Sequence, residues 1–172
     1  MQTNVPHIIL DIETTGFRWD GGDEIVELAG ERLVGGVVVD TFHSYMTPFR
    51  PVPLDASRIH GLTTDFLREQ GVPPRVALQQ FADFIGNGIW VGHNVRRFDY
   101  PFVAYAFEEY GVTYAKHPTI VDTLELARQH LKLPNYRLGS VAMHFGINSD
   151  GAHRAGRDVE ITREVFLKLS LH

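Results

Sequence analysis

His7-Ile-Ile-Leu-Asp-Ile-Glu13, closed by Thr14-Thr15-Gly16, is the stretch that decides the fold. Its apolar run reads as a buried strand, ended by the threonines and the glycine. The next segment, residues 24–34 (EIVELAGERLV), alternates as a second strand does. Gly35-Gly36 is a hairpin turn into a third strand, residues 37–46 (VVVDTFHSYM). Pro48, Pro51 and Pro53 mark an extended connection, followed by a short helix from Asp55 to Gly61 and another capped by Thr63 or Thr64. Residues 74–86 fit an amphipathic helix with Pro73-Pro74 at its start and Gly86 at its end. Residues 88–92 (GIWVG) are a short buried strand, and 100–110 a helix stopped by Gly111. Ile120-Val121 is a fifth strand, and Asp122-Thr-Leu-Glu125 resembles a capping box opening a helix to about Leu131. Helices over 137–145 and 156–170 complete the pattern. Three strands in succession, then helices alternating with strands, predict one α/β domain over 1–172: a mixed five-stranded sheet, its first three strands antiparallel, with helices on both faces.

Composition agrees with that class. A chain of 172 residues fits one ordinary domain, and folding at this size buries roughly 70% of the unfolded surface. Hydrophobic residues make up 44% and charged residues 22%, as in soluble globular proteins. No apolar run approaches the roughly 18 residues of a membrane span, and Met1 to His7 lacks the basic-then-apolar pattern of a signal peptide, so a cytoplasmic protein with no membrane partner is expected. Without cysteine there is neither a disulfide framework nor a thiolate metal site. A metal would have to be held by carboxylate, histidine or carbonyl groups, and carboxylates suit Mg²⁺ or Mn²⁺. The net charge of −5 runs against a broadly phosphate-binding surface. The cations are nevertheless biased, 13 Arg to 3 Lys, and arginine binds phosphate through a planar fork.

Three short motifs carry chemistry. Asp11 and Glu13 stand at i and i+2 on a strand and so project from one face. At about 4 Å and an effective dielectric near 20, two such charges repel by roughly 4 kcal/mol, which calls for a cation or a shared proton. Taken alone, Asp-x-Glu also fits an exposed strand end with two solvated acids. The second motif, Gly92-His93-Asn94-Val95-Arg96-Arg97-Phe98-Asp99-Tyr100-Pro101, follows a short strand and precedes a helix. Asp99 would sit near the C-terminal edge of the sheet, where α/β sites form; it is equally placed to be a helix cap. The third is His153-Arg154-Ala155-Gly156-Arg157-Asp158. Were all six helical, His153 and Asp158 would lie about 140° apart, since each residue turns about 100°. His153 is therefore expected on the loop before the helix, with Asp158 in its first turns. Histidine titrates near neutrality and suits a general base; the plain alternative is a surface histidine and an aspartate answering the helix dipole.

In this order the motifs resemble the DnaQ-like (DEDDh) 3′→5′ exonucleases, a family that includes polymerase proofreading subunits, three-prime repair exonucleases, ribonuclease T and oligoribonuclease. The resemblance covers nearly the whole chain: Asp11-Ile-Glu13-Thr-Thr-Gly16, Ile59-His60-Gly61-Leu62-Thr63, His93-Asn94 to Asp99, Asp122 to Arg128, Phe145-Gly-Ile147, and His153-x-Ala155-x-x-Asp158, which marks the histidine branch. Most proofreading subunits have one residue fewer between the His-Asn pair and the second-motif aspartate. The longer spacing here, with an aromatic and a proline after Asp99, looks more like the three-prime repair exonucleases.

The resemblance implies a ribonuclease H-like three-layer fold and a catalytic set of Asp11, Glu13, Asp99, His153 and Asp158. Asp11, Glu13 and Asp158 would hold one of two divalent cations, Mg²⁺ or Mn²⁺; Asp11 would bridge to the second, with Asp99 assisting through water, and His153 would take the proton of the attacking water. Thr14 and Thr15 would meet the terminal nucleotide, the Thr14 backbone N–H at its 3′-hydroxyl. His60 and Leu62 would flank the base or sugar, and Asn94 would contact the substrate or fix its own loop. His60 also fits a helix-capping or core histidine. Arg96, Arg97, Arg137, Arg154 and Arg157 are phosphate-contact candidates, while Glu27, Asp122 and His144 are assigned to structure or surface. The expected partner is a single-stranded or frayed DNA 3′ end, with a DNA polymerase as a further partner. RNA cleavage of the oligoribonuclease or ribonuclease T kind is the nearest alternative, because the 2′-hydroxyl is read by pocket contacts. A non-catalytic nucleic-acid-binding or polymerase-associated module is the alternative of another class. An ordinary acidic α/β domain with chance motifs is a third. The chain ends at His172, right after the last family helix, so a free-standing enzyme is the simpler expectation.

Overall fold

The computed structural model describes residues 5–171. Strands β1 (His7–Thr14), β2 (Ile25–Val34), β3 (Val37–Tyr45), β4 (Ile89–Gly92) and β5 (Ile120–Asp122) form one sheet in the order β3-β2-β1-β4-β5. β1, β2 and β3 pair antiparallel, while β4 pairs parallel with both β1 and β5. The helices are α1 (Leu54–His60), α2 (Thr64–Gln70), α3 (Pro74–Ile85), α4 (Asp99–Glu109), α5 (Thr123–His130), α6 (Leu138–His144) and α7 (Ala155–Leu169). None is long and apolar enough to cross a membrane. A single 3₁₀ turn at Trp19–Gly21 has no counterpart in the sequence reading.

The period of two along β1 sorts its residues onto two faces. Ile8, Leu10 and Ile12 pack with Leu28 and Trp90 against Leu78 and Phe81 of α3 and Phe102 and Phe107 of α4. The other face carries Ile9, covered with Ala29 and Val91 by Ala155, Val159 and Phe166 of α7. His7 meets Phe166 near the far end of α7, with ring centroids 5.3 Å apart. Asp11 and Glu13 belong to this second face and therefore lie under the beginning of α7.

β4 pairs with β1 only at His7, Ile8 and Ile9. The C-terminal half of β1 consequently projects past the end of β4, and the chain returns at that opening with Asp99. Close packing there depends on Gly92. A Cβ at Gly92 would stand 2.7 Å from the Val95 Cβ and 3.2 Å from the Leu10 carbonyl oxygen. β1, β4 and β5 end on the same side of the sheet, which creates the crevice typical of α/β sites.

The capping box expected at Asp122 is half formed. Asp122 caps α5 by accepting the Leu124 N–H at 3.0 Å, but Glu125 does not reach back. It pairs instead with the Arg96 guanidinium at 3.2 Å. Asp122 also accepts the backbone N–H groups of Asn94 (2.9 Å) and Arg96 (3.1 Å), so one carboxylate ties the start of α5 to the loop that delivers Asp99.

Candidate active site

Asp11, Glu13 and Asp158 each offer a carboxylate oxygen, and all three oxygens lie within 4.8 Å of one another. β1 supplies the first two from one face, and the first turn of α7 supplies the third. Asp99, the first residue of α4, is 3% exposed and faces the backbone N–H groups of Ile12 and of Asp99 itself. Burial first, and then mutual repulsion, drives these carboxyls toward their protonated forms. Asp11 is pushed well above the usual carboxylate range, with Asp99, Asp158, Glu13 and Glu27 adding to the effect of burial. Burial and the nearby Asp158 push Glu13 up to about 8. Burial pushes Asp99 up to about 7 against its two backbone hydrogen bonds, and raises Asp158 as well.

Such a set is unfavourable without a cation and well matched to one. Its donors are all carboxylate oxygens, the hard ligands that Mg²⁺ and Mn²⁺ take. The Asp158 Oδ1 atom is buried without a hydrogen-bond partner, an orphan that a metal ion would satisfy. A stability prediction follows from the sign of the shifts. Carboxyls raised in the folded state bind more protons there than in the unfolded chain, so stability falls as pH rises. For Glu13 and Asp99 that window runs from their ordinary values of 4.5 and 3.8 up to about 8 and 7. Metal-free protein should therefore melt at a lower temperature at pH 8 than at pH 5. Mg²⁺ or Mn²⁺ should raise the melting temperature more at pH 8, where the acids are ionised, than at pH 5. Scanning calorimetry in EDTA and with each metal reads both effects; a metal-free melting temperature independent of pH would contradict the assigned repulsion.

The loop before α7 brings His153 to the cluster. His153 adopts a left-handed backbone (φ 70°) and donates its N–H to Asp158 Oδ2 at 3.1 Å. Glu27 fixes the start of α7. It lies opposite Glu13 on β2 and is 1% exposed. Its carboxylate binds His43 Nε2 (2.7 Å), the Arg154 guanidinium (3.3 Å) and the Ala155 N–H (3.3 Å). Burial opposes the charge on Glu27, but the hydrogen bonds from His43 and Arg154 outweigh it and hold the carboxyl below its usual range. Arg154 also bonds the Tyr45 hydroxyl and lies over its ring.

On the other side of Glu13 opens a cavity of about 250 Å³, walled by Thr14, Thr15, Phe17, Ile59, His60 and Phe98. Thr14 Oγ1 donates to the Gly16 carbonyl at 2.6 Å. Thr15 is tied to Glu24 by its own N–H (2.9 Å) and by its hydroxyl, which accepts the Glu24 N–H (2.8 Å). His60 is 3% exposed and ends α1. Its Nδ1 accepts the Leu62 N–H at 3.0 Å, so the neutral ring carries its proton on Nε2. That nitrogen faces the Thr14 backbone without a well-formed hydrogen bond. Burial lowers the pKa of the ring and keeps it neutral.

Several expectations need correction. Leu62 does not line the cavity: it is 2% exposed and packs with Val26, Val52 and Leu67 in a separate core cluster. Of the two roles expected of Asn94, its left-handed turn (φ 64°) and its N–H bound to Asp122 fit the fixing of its own loop. Arg96 is committed to Glu125 and the Ile120 carbonyl, and Arg154 to Glu27. Arg157 is committed to Glu160 (2.6 Å) and to the carbonyls of Asn148 (2.7 Å) and Asp150 (3.0 Å). Phe17, Ile59 and Phe98 were not singled out from sequence. The available signal was their place in the sequence, Ile59 and Phe98 within the quoted motifs and Phe17 directly after Gly16, and Phe17 remains 80% exposed.

Comparison with known proteins locates this arrangement. The fold is that of E. coli exonuclease I in complex with a dT13 oligonucleotide, with a TM-score of 0.82 at 19% identity over 97% of this chain and 41% of that one. The DNA polymerase III PolC-type of Listeria innocua is 36% identical over 95% of this chain, which spans only 11% of the PolC length. The DNA polymerase III subunit epsilon of Aquifex aeolicus is 32% identical over 94% of this chain and 79% of its own length. Residues 8–166 match the RNase T exonuclease family model, and with that near-complete coverage the chain belongs to the DnaQ-like (DEDDh) exonucleases.

Proposed function

We propose that this domain hydrolyses DNA from the 3′ end, one nucleotide at a time, releasing nucleoside 5′-monophosphates. The observation that carries the reading is the convergence of Asp11, Glu13 and Asp158 beside a cavity whose wall begins at Glu13. In the proposed reaction a water oxygen bonds to the terminal phosphorus while the bond from phosphorus to the 3′-oxygen of the penultimate nucleotide breaks. His153 accepts the water's proton, and the departing 3′-oxygen takes a proton from solvent. Asp11, Glu13 and Asp158 would hold one divalent cation, with Asp11 and Asp99 placed for a second. When bound, Mg²⁺ or Mn²⁺ supplies positive charge against the developing negative charge on oxygen.

The cavity suits a terminal nucleoside. Phe17 and Phe98, with centroids 6.2 Å apart, offer ring surface that accepts any base. The neutral His60 forms part of the wall with its buried Nε2–H turned to the Thr14 backbone, and the Thr14 N–H would meet the 3′-hydroxyl. DNA as substrate is supported by the relatives, which are named as parts of DNA polymerase III. Those relatives also support editing of a polymerase's primer end.

The test is digestion of matched 5′-labelled single-stranded DNA and RNA, with Mg²⁺, Mn²⁺ or EDTA, beside Asp11→Ala. A stepwise ladder from the DNA 3′ end, lost in EDTA and in the variant, is expected. Equal or faster digestion of RNA would overturn the substrate. Folded protein that cleaves neither nucleic acid would overturn the activity.

A further inference from the structure

A second cleft, separate from the first, also borders the acidic cluster. It measures about 410 Å³ and is bounded by Arg137, Ser140 and Met143 at α6 and by Ser149, His153 and Asp158 at the start of α7. We propose that this cleft receives the strand immediately upstream of the scissile bond and that the Arg137 guanidinium binds its phosphate. The proposal rests on the exonuclease reading above and adds the direction in which the strand leaves the site.

The argument begins with connectivity. A phosphodiester held at the acids has two ester arms, one to the departing nucleotide and one to the rest of the strand. Glu13 belongs to the wall of the first cavity and Asp158 to the wall of the second, and their ligand oxygens lie within 4.8 Å of each other. A phosphate at the cluster therefore borders both cavities, one for each ester arm. The first, about 250 Å³ and walled by Phe17, Ile59 and Phe98, has the size for a single terminal nucleoside. The second is larger and bordered by His153, which is exposed, so a chain can continue through it to solvent.

Charge then selects the contact. Three of the five candidate arginines have their guanidinium groups engaged within the protein, as described above. Arg137 is different. Its backbone is fixed at the start of α6, where its carbonyl accepts the N–H groups of Ser140 (2.9 Å) and Val141 (3.1 Å). Its side chain is exposed and has no hydrogen bond or ion pair among the described residues. Arg97 is likewise unpaired, but it lines neither cavity. An unpaired guanidinium on a firm backbone, lining the same cleft as Asp158, has the chemistry of a phosphate contact. Arg157 shapes the facing wall by holding the Asn148 and Asp150 carbonyls, which brackets Ser149. Met143, 77% exposed, supplies apolar surface to an upstream base.

Two substrates separate this proposal from its foundation. One is a 5′-labelled oligothymidylate; the other is the p-nitrophenyl ester of thymidine 5′-monophosphate, which has a cleavable phosphodiester and no upstream strand. Arg137→Ala should raise KM for the oligonucleotide about tenfold. It should also make the dependence of log KM on log salt shallower by about 0.7, the value for one phosphate on a single strand. The kinetics on the ester should stay within about twofold of wild type, and Arg137→Lys should recover part of the oligonucleotide KM. An unchanged oligonucleotide KM and salt slope would overturn the proposal, as would an equal loss on both substrates, which would mark a structural role. If the wild type hydrolyses neither substrate, the exonuclease reading falls and this one falls with it.

Discussion

Asp11→Asn should lower turnover by at least about 10³-fold while raising the melting temperature of the metal-free protein at pH 8. Both effects follow from one feature, the position of Asp11 among Asp99, Asp158, Glu13 and Glu27, all of which disfavour its charge. The carboxylate is indispensable where a cation must be held, because the bound metal contributes several kcal/mol of charge stabilisation to the reaction and about 1.4 kcal/mol is worth tenfold in rate. In the absence of metal the same charge is repelled from every side. Asparagine keeps the shape and removes the charge, so the fold relaxes. Each kcal/mol recovered is worth about 2–4 °C for a chain of this size. Primer digestion with Mg²⁺ measures the first effect and calorimetry in EDTA the second. Turnover within tenfold of wild type would mean that no metal is held at Asp11. A lower melting temperature in EDTA would mean that the carboxylate is supported by hydrogen bonds rather than opposed by its neighbours.

The sheet was legible because its strands write their two faces into the sequence. In β1, Ile8, Leu10 and Ile12 alternate with Ile9, Asp11 and Glu13, and the structure divides them between α3 and α4 on one side and α7 on the other. Helix ends marked by glycine or proline were readable for the same local reason: Gly61 adopts φ 76° after α1, and Pro74 opens α3. The failures came from partners distant in sequence. Glu125 has the spacing of a capping box, yet Arg96, on another loop, draws its carboxylate away. The turn at Trp19–Gly21 buries no residue and has no periodicity to read.

Within the site, charge on an apolar strand was the readable signal, since Asp11 and Glu13 are costly unless something needs them. Neighbourhood in sequence was a poorer guide. His60 and Leu62 are two residues apart, but the left-handed Gly61 between them turns the chain, leaving His60 on the cavity wall and Leu62 in the core. The candidate arginines divide by whom they meet across the fold. Arg154 finds Glu27, 127 positions away, and so anchors α7. Arg137 meets no such partner among the described residues.

The second large effect is expected at His153, and its backbone decides how to test it. With φ at 70°, His153 already carries the roughly 1–2 kcal/mol that a Cβ costs there, so substitutes that accept this backbone best keep a structural change apart from the chemical one. Asparagine and glycine both tolerate that conformation. The tie to Asp158 runs through the His153 backbone N–H, which every such variant retains, so the metal-ligand set should stay in place. His153→Asn should accordingly lose about 10²–10⁴-fold in kcat, the range for removing a general base. KM and the melting-temperature gain on adding Mn²⁺ should change little. His153→Gly leaves open the space of the missing ring, beside a cleft exposed to solvent, and added imidazole should restore part of its rate. A merely structural residue would show no such rescue. If His153→Asn instead loses the Mn²⁺ stabilisation along with its rate, His153 acts by holding the acids in place, and the proton of the attacking water must go to another acceptor.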